Sequence, residues 1–167
     1  MSVPERPRVV IIGGGFGGLS AAKTLRDKPV DVTVIDRTNH HLFQPLLYQV
    51  ATGALAPSDI TVPIRWVLRG ARNATVVLGN VRALDPVRRE VRVDGRAEPI
   101  RFDYLILAPG TRHAYFGHDA WEPLAPGLKS LEDALEIRRR FLLPFERAEH
   151  TDDPAELRQV VEEIFGP

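Results

Sequence analysis

Five of the six residues from Gly13 to Gly18 are glycine, and this cluster is set between two strongly patterned segments. Ahead of it, Arg8 to Ile12 (RVVII) is a short apolar, β-branched run that suits a central strand buried on both faces. Behind it, Leu19 to Arg26 carries helix formers and small residues suited to packing on a sheet, and Lys28 and Pro29 end that helix. Val30 to Ile35 (VDVTVI) then reads as a second strand, with Asp36 immediately beyond it. The order strand, glycine loop, helix, strand within about thirty residues predicts a βαβ unit and a parallel sheet.

Within the loop, Gly13, Gly15 and Gly18 satisfy the spacing G-x-G-x-x-G. In this context the spacing is a dinucleotide-binding fingerprint, and each glycine has its own expected task. Gly13 permits a tight turn, Gly15 lets the backbone approach a pyrophosphate without a Cβ in the way, and Gly18 brings the helix close to the sheet. Phosphate charge then meets the amides at the helix N-terminus. Asp36 is placed to accept hydrogen bonds from both hydroxyls of an adenosine ribose, and its charge disfavours a phosphorylated ribose. The pattern recognises adenosine diphosphate, which FAD and NAD share; a position at the start of the chain favours FAD by analogy.

Composition narrows the chemistry further. The 167 residues include no cysteine, which excludes disulfides, thiolate nucleophiles, iron-sulfur ligation and a dithiol relay. There is no run of 18 apolar residues, and the opening MSVPERPRV has neither a signal-peptide core nor a lipidation pattern, so a cytoplasmic location is expected. Twenty-two basic residues balance 22 acidic ones, but residues 1–83 carry +5 and residues 84–167 carry −5. No long basic stripe accompanies this asymmetry, so nucleic-acid binding is not expected. Neither a G-x-S-x-G elbow nor a P-loop lysine sequence occurs.

Beyond Asp36, Pro45, Gly53, Pro57 and Pro63 punctuate the pattern, with short helices predicted over Leu46 to Thr52 and Pro63 to Leu68. Strands are predicted at Thr75 to Leu84, Glu90 to Val93, Glu98 to Phe102 and Tyr104 to Leu107, with Asp94 and Gly95 forming a hairpin turn. The middle strands form a small antiparallel layer, whereas YLIL at Tyr104 to Leu107 returns to the parallel sheet and is closed by Ala108, Pro109 and Gly110. A helix is expected over Leu131 to Glu149, kinked or interrupted by Pro144, and another from about Asp153 or Pro154 to Phe165. His40 and His41 are adjacent and would alternate faces in an extended segment, so they make a poor metal pair, and no metal site is expected. His113 and His118 lack a persuasive partner, Asp103 reads as strand-entry polarity, and Trp121 reads as packing.

The segment Arg37 to Ile60 (RTNHHLFQPLLYQVATGALAPSDI) resembles the type II NADH dehydrogenases, the non-proton-pumping NADH:quinone oxidoreductases. The resemblance rests on Asn39, His40, Phe43, Pro45, Leu46, Leu47, Tyr48 and Gly53. Phe102 to Gly117 (FDYLILAPGTRHAYFG), Trp121, Ala125 to Lys129 and Glu132 to Arg138 are similar too, so the likeness extends over about residues 8–147. It implies an α/β, Rossmann-like FAD-binding domain with a parallel central sheet and a small antiparallel layer. It also implies hydride transfer from NADH to FAD and electron transfer to a membrane quinone.

By the same resemblance, Gly13, Gly15, Gly18 and Asp36 contact the adenosine diphosphate end of FAD, and Phe16, Gly17 and Arg37 are further cofactor-binding residues. Val81 offers backbone contacts to adenine, Leu46, Leu47 and Gln49 lie toward the flavin, and Ala108, Gly110 and Thr111 form the turn after the returning strand. That turn is usually A-T-G; here Pro109 replaces a hydroxyl residue and removes an amide donor. No catalytic side chain is implied, because the flavin carries the hydride chemistry.

The second G-x-G-x-x-G unit expected for NADH and the membrane-facing helices of the family do not occur in these residues. The expectation is therefore a truncated chain, with residues 1–147 forming a partial FAD domain and residues 148–167 a helical extension or linker. Membrane association is not supported by this segment, and a homo-oligomer or a partner is expected to complete the open sheet edge. Two other readings stand beside the oxidoreductase: a noncatalytic FAD-binding or interaction module that needs a partner, and a small NAD-binding protein.

Overall fold

A computed structural model describes residues 6–165. The chain divides into two compact units, one formed by the stretch up to His41 with Val62–Thr111, the other by Leu42–Thr61 with the stretch from Arg112 onward. The first is built on β1 (Arg8–Ile12), flanked in parallel by β2 (Asp31–Asp36) and β9 (Tyr104–Leu107), with β5 (Ala74–Leu78) outside β2. The sheet order is β5-β2-β1-β9, with Ile11 opposite Val34 on one side and Ile106 on the other.

The apolar run of β1 is needed because both faces are covered. Val9 and Ile11 pack with Val32 and Val34 against Leu19 and Ala22 of α1 (Phe16–Thr24) and against Ile64 of α3 (Ile64–Val67). Val10 and Ile35 face the opposite way, against Val91, Val93 and Phe102. That second layer is the antiparallel sheet β6 (Val81–Asp85), β7 (Glu90–Val93) and β8 (Ile100–Arg101). Period-2 alternation therefore feeds two cores from a single strand. Each fully buried Val or Ile contributes about 1.5–3 kcal/mol of transfer free energy. A two-stranded ribbon pairs β3 (His40–Leu42) with β4 (Thr61–Pro63).

Several predicted elements differ from the observed ones, three of them in this first unit by more than a residue. The helix after the glycine loop begins at Phe16 and ends at Thr24, not Leu19 to Arg26, because Gly15 is its extended N-cap and Gly17 and Gly18 are helical. The strand predicted over Thr75 to Leu84 is two strands in different sheets, broken at Gly79 and Asn80. A Cβ on Gly79 would lie 2.5 Å from Val93 Cγ1, so the chain changes layers where it carries no side chain. The strand predicted over Glu98 to Phe102 shortens to Ile100–Arg101.

In the second unit, a 3-10 turn (Gln44–Leu46) leads into α2 (Leu47–Ala51), which packs on α4 (Leu131–Ala148). Leu47, Val50, Ala51, Ile60 and Ala134 form its buried centre. Ser130 caps α4 reciprocally with Asp133: the Asp133 amide donates to Ser130 Oγ at 3.1 Å, and the Ser130 amide donates to Asp133 Oδ2 at 2.8 Å. Burial alone would raise the Asp133 carboxyl, yet the amides of Lys129 and Ser130 hold it below the usual carboxylate range. The helix passes through Pro144 without interruption, and α5 (Pro154–Phe165) follows. Among the described residues no helix is long and apolar enough to cross a membrane, and none of their His, Asp and Glu side chains form a metal-holding group of three.

Candidate dinucleotide site

At the C-terminal end of β1 the chain turns through Gly13, whose φ of 105° lies in the left-handed region. Its amide donates to Ile35 O at 2.8 Å, and a Cβ there would stand 2.0 Å from Ala108 O. The turn after β9 thus presses its backbone directly against the glycine loop, anchored by the Ala108 amide donating to Ile12 O at 2.8 Å. Gly18 is equally constrained, since its missing Cβ would lie 1.8 Å from Gly13 O. Both glycines are explained by packing within the protein, as the sequence predicts for a tight turn and a close helix.

Gly15 is different. Its φ of −75° is ordinary for any residue, and a Cβ built on it meets nothing within 4 Å. Nothing in the fold itself calls for glycine at this position. It caps α1 without a side-chain hydrogen bond, and no acidic residue occupies the first turn of the helix. The helix N-terminus therefore faces open space with its partial positive charge uncompensated by its own side chains, which suits an incoming pyrophosphate.

Asp36, the last residue of β2, closes the other side of the loop. Its Oδ2 accepts the Gly14 amide at 2.5 Å, and its Oδ1 accepts the Thr38 amide at 2.7 Å and the Thr38 hydroxyl at 2.8 Å. A carboxylate offers about four acceptor positions, so three donors leave roughly one for a ribose hydroxyl. Thr38 escapes attention in the sequence, although Asp-x-Thr is a readable signal for a side chain bonding two residues on. Gly14 is likewise more than loop filler, because its Cβ would fall 2.4 Å from Ile64 Cδ1.

The other predicted residues have varied settings. Phe16 is half exposed and meets His41 edge-on at 4.8 Å, while His41 Nδ1 lies 3.3 Å from Gly14 O. Arg37, Gly17 and Thr111 are exposed, and Val81 is half-buried at the start of β6. Gly110 takes a φ of 75°, and Pro109 beside it is exposed. Leu46, Leu47 and Gln49 fall in the second unit. There Leu47 is buried in the apolar centre, and Gln49 Nε2 donates to the Tyr48 hydroxyl at 2.9 Å.

A parallel sheet with a glycine turn, an unneutralised helix N-terminus and an acid ending the second strand defines a Rossmann-like dinucleotide-binding domain. The chain belongs to the pyridine nucleotide-disulphide oxidoreductase family, whose model matches residues 7–148. It is 52% identical over 153 residues to the type II NADH:quinone oxidoreductase Ndh of Mycobacterium tuberculosis, covering 90% of this chain and 33% of that protein. It is 48% identical over 157 residues to NdhA of the same organism, again covering 33% of the relative. NDH2 from Plasmodium falciparum superposes with a TM-score of 0.81 at 25% identity, covering 93% of this chain and 32% of that one. The sulfide:quinone oxidoreductase of Aquifex aeolicus gives 0.75 at 27% identity, covering 84% and 32%. The chain spans about a third of the length of these relatives.

Proposed function

We propose that this chain supplies the FAD-binding part of a type II NADH:quinone oxidoreductase, working at the cytoplasmic face of a membrane. The observation that carries this reading is the open space at Gly15, a glycine that the fold does not require at a helix end that favours an anion. Similarity to the two mycobacterial NADH:quinone oxidoreductases supports NADH as the co-substrate and a quinone as the electron acceptor, and the resemblance of the residues beyond Asp36 to that family favours FAD over NAD at this loop.

In this reading Gly13 turns the chain, Gly15 admits the pyrophosphate to the α1 amides, and Asp36 accepts from the adenosine ribose while holding the loop through Gly14 and Thr38. Phe16, Gly17, Gly18 and Arg37 complete this end, Val81 borders adenine, and Ala108, Gly110 and Thr111 form the neighbouring turn. Leu46, Leu47 and Gln49 are assigned to the flavin end by resemblance. FAD supplies hydride acceptance from NADH and two-electron delivery to a quinone. The protein's contribution is binding, orientation and exclusion of a phosphorylated ribose by the charge of Asp36.

The test is to purify the chain, extract any bound ligand and record its visible spectrum, then to follow NADH oxidation with a soluble quinone. Released flavin, or FAD uptake that raises the melting temperature, is the expected result. Gly15→Val is expected to abolish uptake while leaving the melting temperature of the ligand-free protein nearly unchanged. Failure of the unaltered chain to take up FAD or gain thermal protection would overturn an autonomous flavin site.

A further inference from the structure

The opposite end of β1 carries a second concave feature. A cleft of about 530 Å³ is lined by Arg8, Arg88, Arg89 and Arg101 together with Glu90 and Asp103. Arg8 begins β1 and Asp103 precedes β9, so the cleft lies at the N-terminal edge of the parallel sheet. The glycine loop leaves the other edge, separated by the five residues of β1, or roughly 15 Å.

Both carboxylates in the cleft are already engaged. Asp103 accepts from Arg8 through its amide at 2.7 Å, Nε at 3.2 Å and Nη2 at 3.3 Å. Glu90 pairs with Arg101 at 3.3 Å, across the β7–β8 register that sets them opposite each other. Arg88 reaches Asp85 only at 3.9 Å, and Arg89 forms no close ion pair among the described residues. Among the described residues Arg89 is therefore left without a salt bridge, and Arg88 has only the long contact to Asp85.

The backbone points the same way. Arg89 adopts a φ of 54°, a left-handed conformation that any Cβ disfavours and that glycine or asparagine fills more readily after a turn. The turn is fixed on both sides: Asp85 Oδ1 accepts the Val87 and Arg88 amides at 3.0 and 2.8 Å, and Arg89 O accepts the buried Phe102 amide at 2.9 Å. Arginine thus stands where glycine would be conformationally easier. Its charge is felt inside the cleft, since Arg89 adds to the attraction by which Arg8, chiefly through its hydrogen bond, holds the Asp103 carboxyl below the usual carboxylate range. Backbone strain of this kind is found at ligand clamps.

We propose that this cleft binds a phosphate group, held between the Arg88 and Arg89 guanidiniums with Arg101 at its side. Guanidinium forks match the geometry of phosphate oxygens, and the paired carboxylates fix Arg8 and Arg101 in place. A free phosphomonoester and a phospholipid headgroup present the same chemistry.

The experiment titrates inorganic phosphate calorimetrically into the 167-residue chain at constant ionic strength, with chloride as the control anion. In parallel it measures retention on phosphatidylglycerol vesicles against phosphatidylcholine vesicles. The double variant R88Q/R89G is expected to fold at least as well, because glycine relieves the left-handed position, and to lose affinity by roughly tenfold or more. Gly15→Val is expected to leave this binding intact. Phosphate binding with no preference for phosphatidylglycerol identifies a free phosphate ligand; retention on phosphatidylglycerol that R88Q/R89G abolishes identifies a headgroup. Binding of neither probe, equal competition by chloride, indifference to R88Q/R89G, or loss in Gly15→Val alone overturns the proposal.

Discussion

The two units of the chain are held together by different physics. In the first, β1 and β2 each send alternate side chains into two cores, so that Val10 and Ile11, adjacent in sequence, support opposite layers. In the second, a small buried centre around Val50 and Ala134 is supplemented by local helix chemistry. Ser130 and Asp133 cap α4, and Glu136 pairs with Arg139 and Arg140 within one turn. Phe141 and Phe145 stack edge-on at 5.5 Å while remaining 40% and 43% exposed. A substitution in the first unit therefore acts through packing on both sides of a sheet, and one on the exposed face of α4 acts through contacts within that helix.

Graded substitutions test this contrast. Each unit contains one tryptophan, Trp66 in the first and Trp121 in the second, so Trp→Phe backgrounds report each separately by fluorescence. The largest effect is expected for Gly18→Val, whose Cβ would meet Gly13 O at 1.8 Å. Backbone against backbone cannot yield cheaply, and a loss of about 3 kcal/mol or more should abolish the folded Trp66 signal in thermal melts. Ile11→Ala comes next, at about 2–5 kcal/mol in urea unfolding followed through Trp66. A smaller loss would mean that the two-sided core collapses around the cavity.

Ser130→Ala should cost about 1 kcal/mol, read as a lower urea midpoint through Trp121, because it removes one half of the reciprocal cap. The smallest effect concerns acid. Hydrogen bonds from Arg139 and then Arg140 hold Glu136 at about 2, against an ordinary 4.5. A depressed carboxyl stabilises the fold fully above its unfolded value and loses that contribution as pH falls from about 4.5 toward 2. Wild type and Glu136→Gln should differ slightly in melting temperature at pH 6 and converge near pH 2. Because the Glu136 side chain is partly open to solvent, screening keeps this difference modest and salt should shrink it further.

The same division governs what can be read from residues alone. Around the glycine loop, spacing, strand composition and the terminal acid agree, and the roles expected of Gly13 and Gly18 appear as close backbone contacts. Local pattern fails where tertiary contact decides. The break at Gly79 depends on the approach of Val93, which is distant in sequence; Gly79 and Asn80 are a local interruption signal in TVVLGNVRAL, but local pattern does not say that the two halves join different sheets. The early start of α1 depends on helical Gly17 and Gly18, residues whose intrinsic preference opposes a helix, and the missing Cβ of Gly18 permits its close approach to Gly13 and Ile11. Thr38 illustrates a third case, since its partnership with Asp36 is local but concerns side-chain hydrogen bonding, to which hydrophobic periodicity is blind.

The three donors gathered by Asp36 also bear on the kinetics of ligand arrival. Gly14 and Thr38 are already fastened to the carboxylate proposed to receive a ribose, so the ordering of this loop is completed during folding and not at the moment of encounter. Association with the adenosine end should then proceed as docking to a preset mould, with backbone amide exchange at Gly14 and Thr38 slow before any nucleotide is added.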